Sequence, residues 1–123
     1  MEEHKYVRYP WWGYVKNLLK QYGWALIGRQ HILSDEQMDA VCRAIDATME
    51  LPSGAEILRV ADLVLIKRTH TIAGAAMMIP VSEDTAKRWH GNFIRAVARE
   101  LGLDCTVVVR SGGALLPSTP GDL

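Results

Sequence analysis

Cysteine is scarce in this chain, two among 123 residues, and phenylalanine scarcer still, with a single copy. Thiols as far apart as Cys42 and Cys105 set up no disulfide framework. His4, His31, His70 and His90 make no pair at ligand spacing with a cysteine or carboxylate, so neither a zinc site nor any other metal is expected. A reducing cytoplasm is the simplest compartment. Also missing is any charged-then-apolar leader, and no apolar run approaches the roughly 18 residues of a bilayer span, so neither a secretory signal nor a membrane segment is expected. Surplus charge is absent too: 14 lysines and arginines face 14 aspartates and glutamates. The net charge therefore gives nucleic-acid binding no support.

Catalytic signatures are equally lacking. No nucleophile with a paired base and no acid pair on an exposed face can be assembled, and Ser111-Gly112-Gly113 lacks the rest of a phosphate-cradling loop. The chain is not expected to be an enzyme or to carry a cofactor.

What the chain does contain is a helix-turn-helix pattern centred on Ala75 to Trp89. Two short helices that cross tightly need small side chains where their backbones meet, and Ala75 and Ala76 supply them. A helix from Ile72 stops near Ile79, because Pro80 has no backbone donor and restricts the residue before it. Ser82 follows as an N-cap candidate, with Glu83 and Asp84 suited to the positive end of the next helix dipole. At 3.6 residues per turn, Ala86, Trp89, Phe93, Ala96, Val97 and Leu101 gather on one side as the buried face. The opposite side collects Asp84, Lys87, Arg88, Gly91, Arg95 and Arg99, the face expected to meet phosphates and base edges. Between Arg59 and Arg99 seven basic residues stand against three acids, a local surplus hidden by the even total. So few phosphate contacts imply modest affinity that falls as salt rises.

The remaining segments read as supporting helices. Tyr6, Tyr9, Trp11, Trp12, Tyr14, Tyr22 and Trp24 make the N-terminus aromatic, and Pro10 suits the first turn of a helix from about Trp11 to Tyr22. Val15, Leu18, Leu19 and Tyr22 form its apolar face. Ser34 and Gln37 make a capping box for a helix running to about Met49, with Met38, Val41, Cys42, Ile45 and Met49 at helical spacing. After Pro52, Ser53 and Glu56 repeat the capping signal for a helix from Ala55 to about Arg68, apolar around most of its circumference and so expected at the centre of the fold. Thr106 to Val109 are β-branched, and Ser111-Gly112-Gly113 breaks the chain before a tail rich in proline, serine and glycine. This end reads as a short extended piece, paired with Ala114 to Leu116 or with another subunit, and then a disordered tail.

The expected architecture is all-α: one small helical domain of four to five helices with a C-terminal helix-turn-helix and a short extended or disordered tail. Residues 1–52 form the N-terminal helical region, 53–103 the helix-turn-helix region in one compact unit with it, and 104–123 the tail.

Two separated blocks carry a resemblance. Arg8 to Asn17 (RYPWWGYVKN), followed in order and spacing by Lys67 to Ala76 (KRTHTIAGAA) and Thr85 to Ile94 (TAKRWHGNFI), resembles the small phage-encoded transcriptional regulators of the RinA and ArpU type, over most of the chain to about Leu103. The resemblance implies an all-helical protein whose C-terminal half is similar to region four of sigma factors. It also implies activity at promoters of late phage genes, such as those for packaging, in the cytoplasm of a bacterial host. Carried onto these residues, the recognition helix falls on Ser82 to Arg99. Ser82, Glu83, Asp84, Lys87, Arg88 and Gly91 would face the groove, with Lys87 and Arg88 contacting guanine or phosphate, and a bidentate pair discriminates by roughly 1–3 kcal/mol. Glu83 and Asp84 either accept from a cytosine amino group or only cap the helix. Arg95 and Arg99 lie further along, at backbone contacts or in solvent. Lys67, Arg68, Thr69 and His70 stand at the start of the motif, where phosphates of the flanking strand would pass.

Bland roles stand beside these. Trp89 and Phe93 share a face with Ala86 and Val97 and so belong to the core rather than to a base-stacking platform. Met77 and Met78 fill gaps or sit partly exposed. Trp11, Trp12 and Tyr14 pack into the core, or else form a partner-binding patch. The sequence thus leads to a regulator that binds double-stranded DNA at a promoter and contacts RNA polymerase or a second copy of itself. Two alternatives remain: a small terminase-like packaging subunit, and a helical protein-interaction adaptor.

Overall fold

A computed structural model describes residues 9–103, which form five helices and no strand. The extended or disordered tail expected over residues 104–123 lies outside the described residues, as do Tyr6 and Cys105. Helices α1 (Trp12–Leu26), α2 (Asp35–Met49), α3 (Gly54–Ala61), α4 (Ile72–Met78) and α5 (Glu83–Glu100) follow one another through short connections, and α3 continues into a π-helical turn, Asp62–Ile66. Among the described residues no helix is long and apolar enough to cross a membrane.

Helix α1 begins where the turn around Pro10 closes, with the Trp12 amide donating to the Tyr9 carbonyl at 3.0 Å. It runs past the expected end at Tyr22 because nothing stops it before Gly28. That glycine, at φ 78°, opens a left-handed C-terminal cap in which the Gly28 amide bonds Ala25 O and the Arg29 amide bonds Trp24 O. The same closure ends α5, with Gly102 at φ 80° and the Leu103 amide on Ala98 O.

The capping box expected at Ser34 is present in both halves: Ser34 Oγ accepts from the Gln37 amide at 3.1 Å, and Gln37 Oε1 accepts from the Ser34 amide at 2.8 Å. The one expected at Ser53 is not. Side-chain capping needs an extended backbone that aims the hydroxyl at the following amides, whereas Ser53 is left-handed at φ 61° and makes no side-chain cap bond. A tight turn imposes this conformation, with the Gly54 amide on Leu51 O at 2.8 Å. The regular α-helix also ends earlier than the expected Arg68, at Ala61, where the ladder widens and the Lys67 amide reaches back to Asp62 O at 2.7 Å.

The main core joins Val15, Leu18, Leu19 and Tyr22 of α1 to Val41 and Ala44 of α2, to Ala61, Leu65 and Ile66, and to Phe93, Ile94, Val97 and Ala98 of α5. The apolar face expected on α1 is buried as read. On α2 the buried line is Ala40, Val41, Ala44 and Thr48, while Cys42 and Met49, placed on that face by spacing, are exposed. The Cys42 Sγ lies 3.8 Å from the Tyr22 hydroxyl. Helix α5 touches all four other helices and is the axis of the assembly. Gly23 lets α1 approach the π-helical turn, since a Cβ there would press into the Ile66 carbonyl. Tyr9, Trp11 and Trp12 stack in sequence, Tyr9 on Trp11 at 4.6 Å between ring centres, and both tryptophans lean on the core.

Candidate nucleic-acid interface

Helices α4 and α5 and the four residues between them form the expected pair. Thr71 starts α4, its hydroxyl accepting from the Gly74 amide at 3.0 Å, a cap of the same kind as Ser34 that the sequence reading passed over. At the other end the Val81 amide returns to Ala76 O at 3.0 Å, which closes the helix and turns the chain. Ser82 then caps α5: its Oγ accepts from the Thr85 amide at 3.1 Å and donates to the Thr85 hydroxyl at 2.9 Å.

The crossing is made by small side chains. Ala76 and Ala86 are buried against Val60, and Val64, Ile72, Ile79, Val81 and Trp89 close around them. Ala75 is also buried. Trp89, partly buried, packs against this cluster, and Phe93, in the main core, offers no free stacking face.

Of the six residues expected to face a groove, five are exposed: Ser82, Glu83, Asp84, Lys87 and Arg88. Gly91 is the correction. It is buried, with the Trp12 ring 3.7 Å from where a Cβ would stand, and it has no side chain to present to a ligand. Successive residues on a helix turn by about 100°, so Lys87 and Arg88 point in different directions. Lys87 lines up with the buried Gly91 and Ile94, beyond the edge of the core, while Arg88, Asn92, Arg95 and Arg99 form one continuous stripe. Among the described residues neither Lys87 nor Arg88 makes an ion pair. Arg95 is half-buried and donates to Asn92 Oδ1 at 2.6 Å, which holds it along the stripe.

The segment before α4 is more ordered than a loop of phosphate-seeking side chains requires. Lys67 Nζ pairs with Asp62 Oδ2 at 3.2 Å. The amides of Thr69 and His70 both donate to Leu63 O, and Thr69 Oγ1 lies 2.9 Å from His70 Nδ1, so these two side chains satisfy each other. Arg68 is exposed, at a left-handed φ of 59°. Beside it stand Lys20 and Arg29, which the sequence reading did not single out. The signal for Arg29 was Gly28: a glycine closing a helix folds the next residue back over the last turn.

His90, beside this face, is half-buried, and burial, with Lys16 nearby, pulls its pKa from 6.5 down to about 4. It adds no positive charge to α5 near neutrality. Met77 and Met78 of α4 are exposed, Met77 almost fully at 83 %, and fill no gap in the core.

No family model, curated protein or solved structure matches this chain.

Proposed function

We propose that this chain is a sequence-specific regulator of transcription that binds double-stranded DNA through α5, a phage late-gene activator of the RinA and ArpU type. The observation that carries the reading is the close α4–α5 crossing at Ala76 and Ala86, which leaves Glu83, Asp84, Lys87 and Arg88 exposed on the first two turns of α5. In helix-turn-helix units the N-terminal residues of the second helix meet base edges while the first helix crosses the backbone. Arg88 has the fork geometry to pair with one guanine, and Lys87, turned away by about 100°, serves as a point charge for a phosphate. Glu83 and Asp84 sit in the first turn, where they either accept from a cytosine amino group or only offset the helix dipole. The activity is recruitment, with the chain positioned at a promoter and RNA polymerase or a second copy beside it.

Binding to fragments upstream of the neighbouring operons, measured at two salt concentrations, tests this. Arg88→Ala is expected to cost about 1–3 kcal/mol at the preferred site and to relax the preference at one base pair. Binding that ignores sequence, or no binding, refutes the reading. A large closed ring in native mass spectrometry would instead favour a packaging subunit.

A further inference from the structure

Outside α5, basic side chains converge in a concavity of about 410 Å³ between the end of α1 and the π-helical turn. Lys20, Trp24 and Arg29 line it from one side, Lys67 and Arg68 from the other, and Asp62 is the single acid. Because Asp62 is paired with Lys67, three cations are left without a counter-charge in the lining. Two of them are held on the same indole: Lys20 Nζ lies 5.2 Å and the Arg29 guanidinium carbon 5.1 Å from the Trp24 ring centre. Local structure enforces the gathering. The cap at Gly28 carries Arg29 back over Trp24, Gln21 Oε1 accepts from the Ile32 amide at 2.9 Å to hold the loop beyond it, and Arg68 follows the π-helical turn.

Cations gathered around one concavity repel one another, and an anion seated among them offsets that repulsion. We infer that this concavity takes a phosphate group of the nucleic-acid backbone, a deduction that rests on the chain binding duplex DNA. Arg68 is three residues from Thr71, the cap of α4, so the site lies within about 11 Å of chain from the helix that crosses the backbone in such motifs. With Lys20 and Arg29 already over its ring, Trp24 orders the cations and is not a platform for a base.

The test uses the full chain and fluorescence anisotropy of a labelled duplex across a salt series. Lys20→Gln, Arg29→Gln and Arg68→Gln together are expected to reduce the slope of log affinity against log salt by about 0.9, the share of one phosphate, so that a fourfold rise in salt costs the unsubstituted chain about 3.5-fold more affinity than the variant. Arg29→Gln alone should lower the slope in the same direction by a part of that amount, which keeps the test open if the triple variant melts early. Equal slopes overturn the assignment yet leave the α5 reading standing, because that reading is scored separately by the loss of sequence preference in Arg88→Ala. Inorganic tripolyphosphate is the control ligand: if the triple substitution abolishes its binding while the duplex slope is unchanged, the site serves a free polyphosphate and the backbone assignment falls. Failure of the unsubstituted chain to bind duplex overturns both readings.

Discussion

Around Phe93 large side chains hold the helices apart; around Ala86 the lack of side chains draws them together. The main core interlocks Leu18, Leu19, Val41, Ile94 and Phe93, whereas the buried cluster at the crossing joins Val60, Ala76 and Ala86. The first arrangement stores stability in apolar area, at about 25 cal/mol per Å². The second has little area to bury and gains backbone proximity, which fixes how α4 presents α5. The scaffold should therefore be sensitive to losing atoms and the motif to gaining them.

Removing atoms from the scaffold gives the largest effect. Phe93→Ala is expected to cost about 3–5 kcal/mol, read from the urea midpoint. Ala86→Leu adds atoms at the crossing and should cost about 1–3 kcal/mol, with loss of the proposed DNA binding out of proportion to the loss of stability. If Ala86→Leu left DNA binding intact, the crossing would not be what sets the interface.

Next come the two serines that share a sequence signal. Ser82→Ala removes a formed cap and should destabilise by about 1 kcal/mol, while Ser53→Ala, with no cap bond to lose, should stay within about 0.5 kcal/mol of the parent. Thermal melts of the two variants side by side decide it.

An effect confined to acid pH is expected at His90. Its pKa falls on folding from 6.5 to about 4, so on acidification the unfolded chain takes up the proton first. Stability present above pH 6.5 is then lost progressively as the pH drops toward 4. His90→Gln should flatten that part of the profile, and an unchanged profile would show that the ring is too solvated to matter.

The motif was the most legible part of the chain, because its boundaries rest on local chemistry: Pro80 stops one helix and Ser82 starts the next. Val15, Leu18, Leu19 and Tyr22 were legible for a similar reason, a clean period on one face. Ser53 misled because a capping box is a pattern of residue types and says nothing of backbone conformation, which the tight turn before Gly54 decides. Gly91 misled because a helical wheel counts glycine as polar, whereas Trp12 makes it a contact. The basic concavity was invisible because Lys20 and Arg29 stand about forty residues before Lys67 and Arg68 in the chain, and no periodicity spans that separation. Met49 and Cys42 had helical spacing but lay on the wrong side of a line that Ala40 and Thr48 complete.

The π-helical turn from Asp62 to Ile66 works as a phase shifter. It holds one residue more than an α-helical turn would, and that residue sets the angle at which everything after it leaves the scaffold. Deleting one position there would remove more than that residue's own contacts. It would rotate the chain beyond it by about 100°, swinging Lys67 and Arg68 away from Trp24 and turning the motif toward a different side of the molecule. Length, rather than residue type, is the quantity this turn must keep.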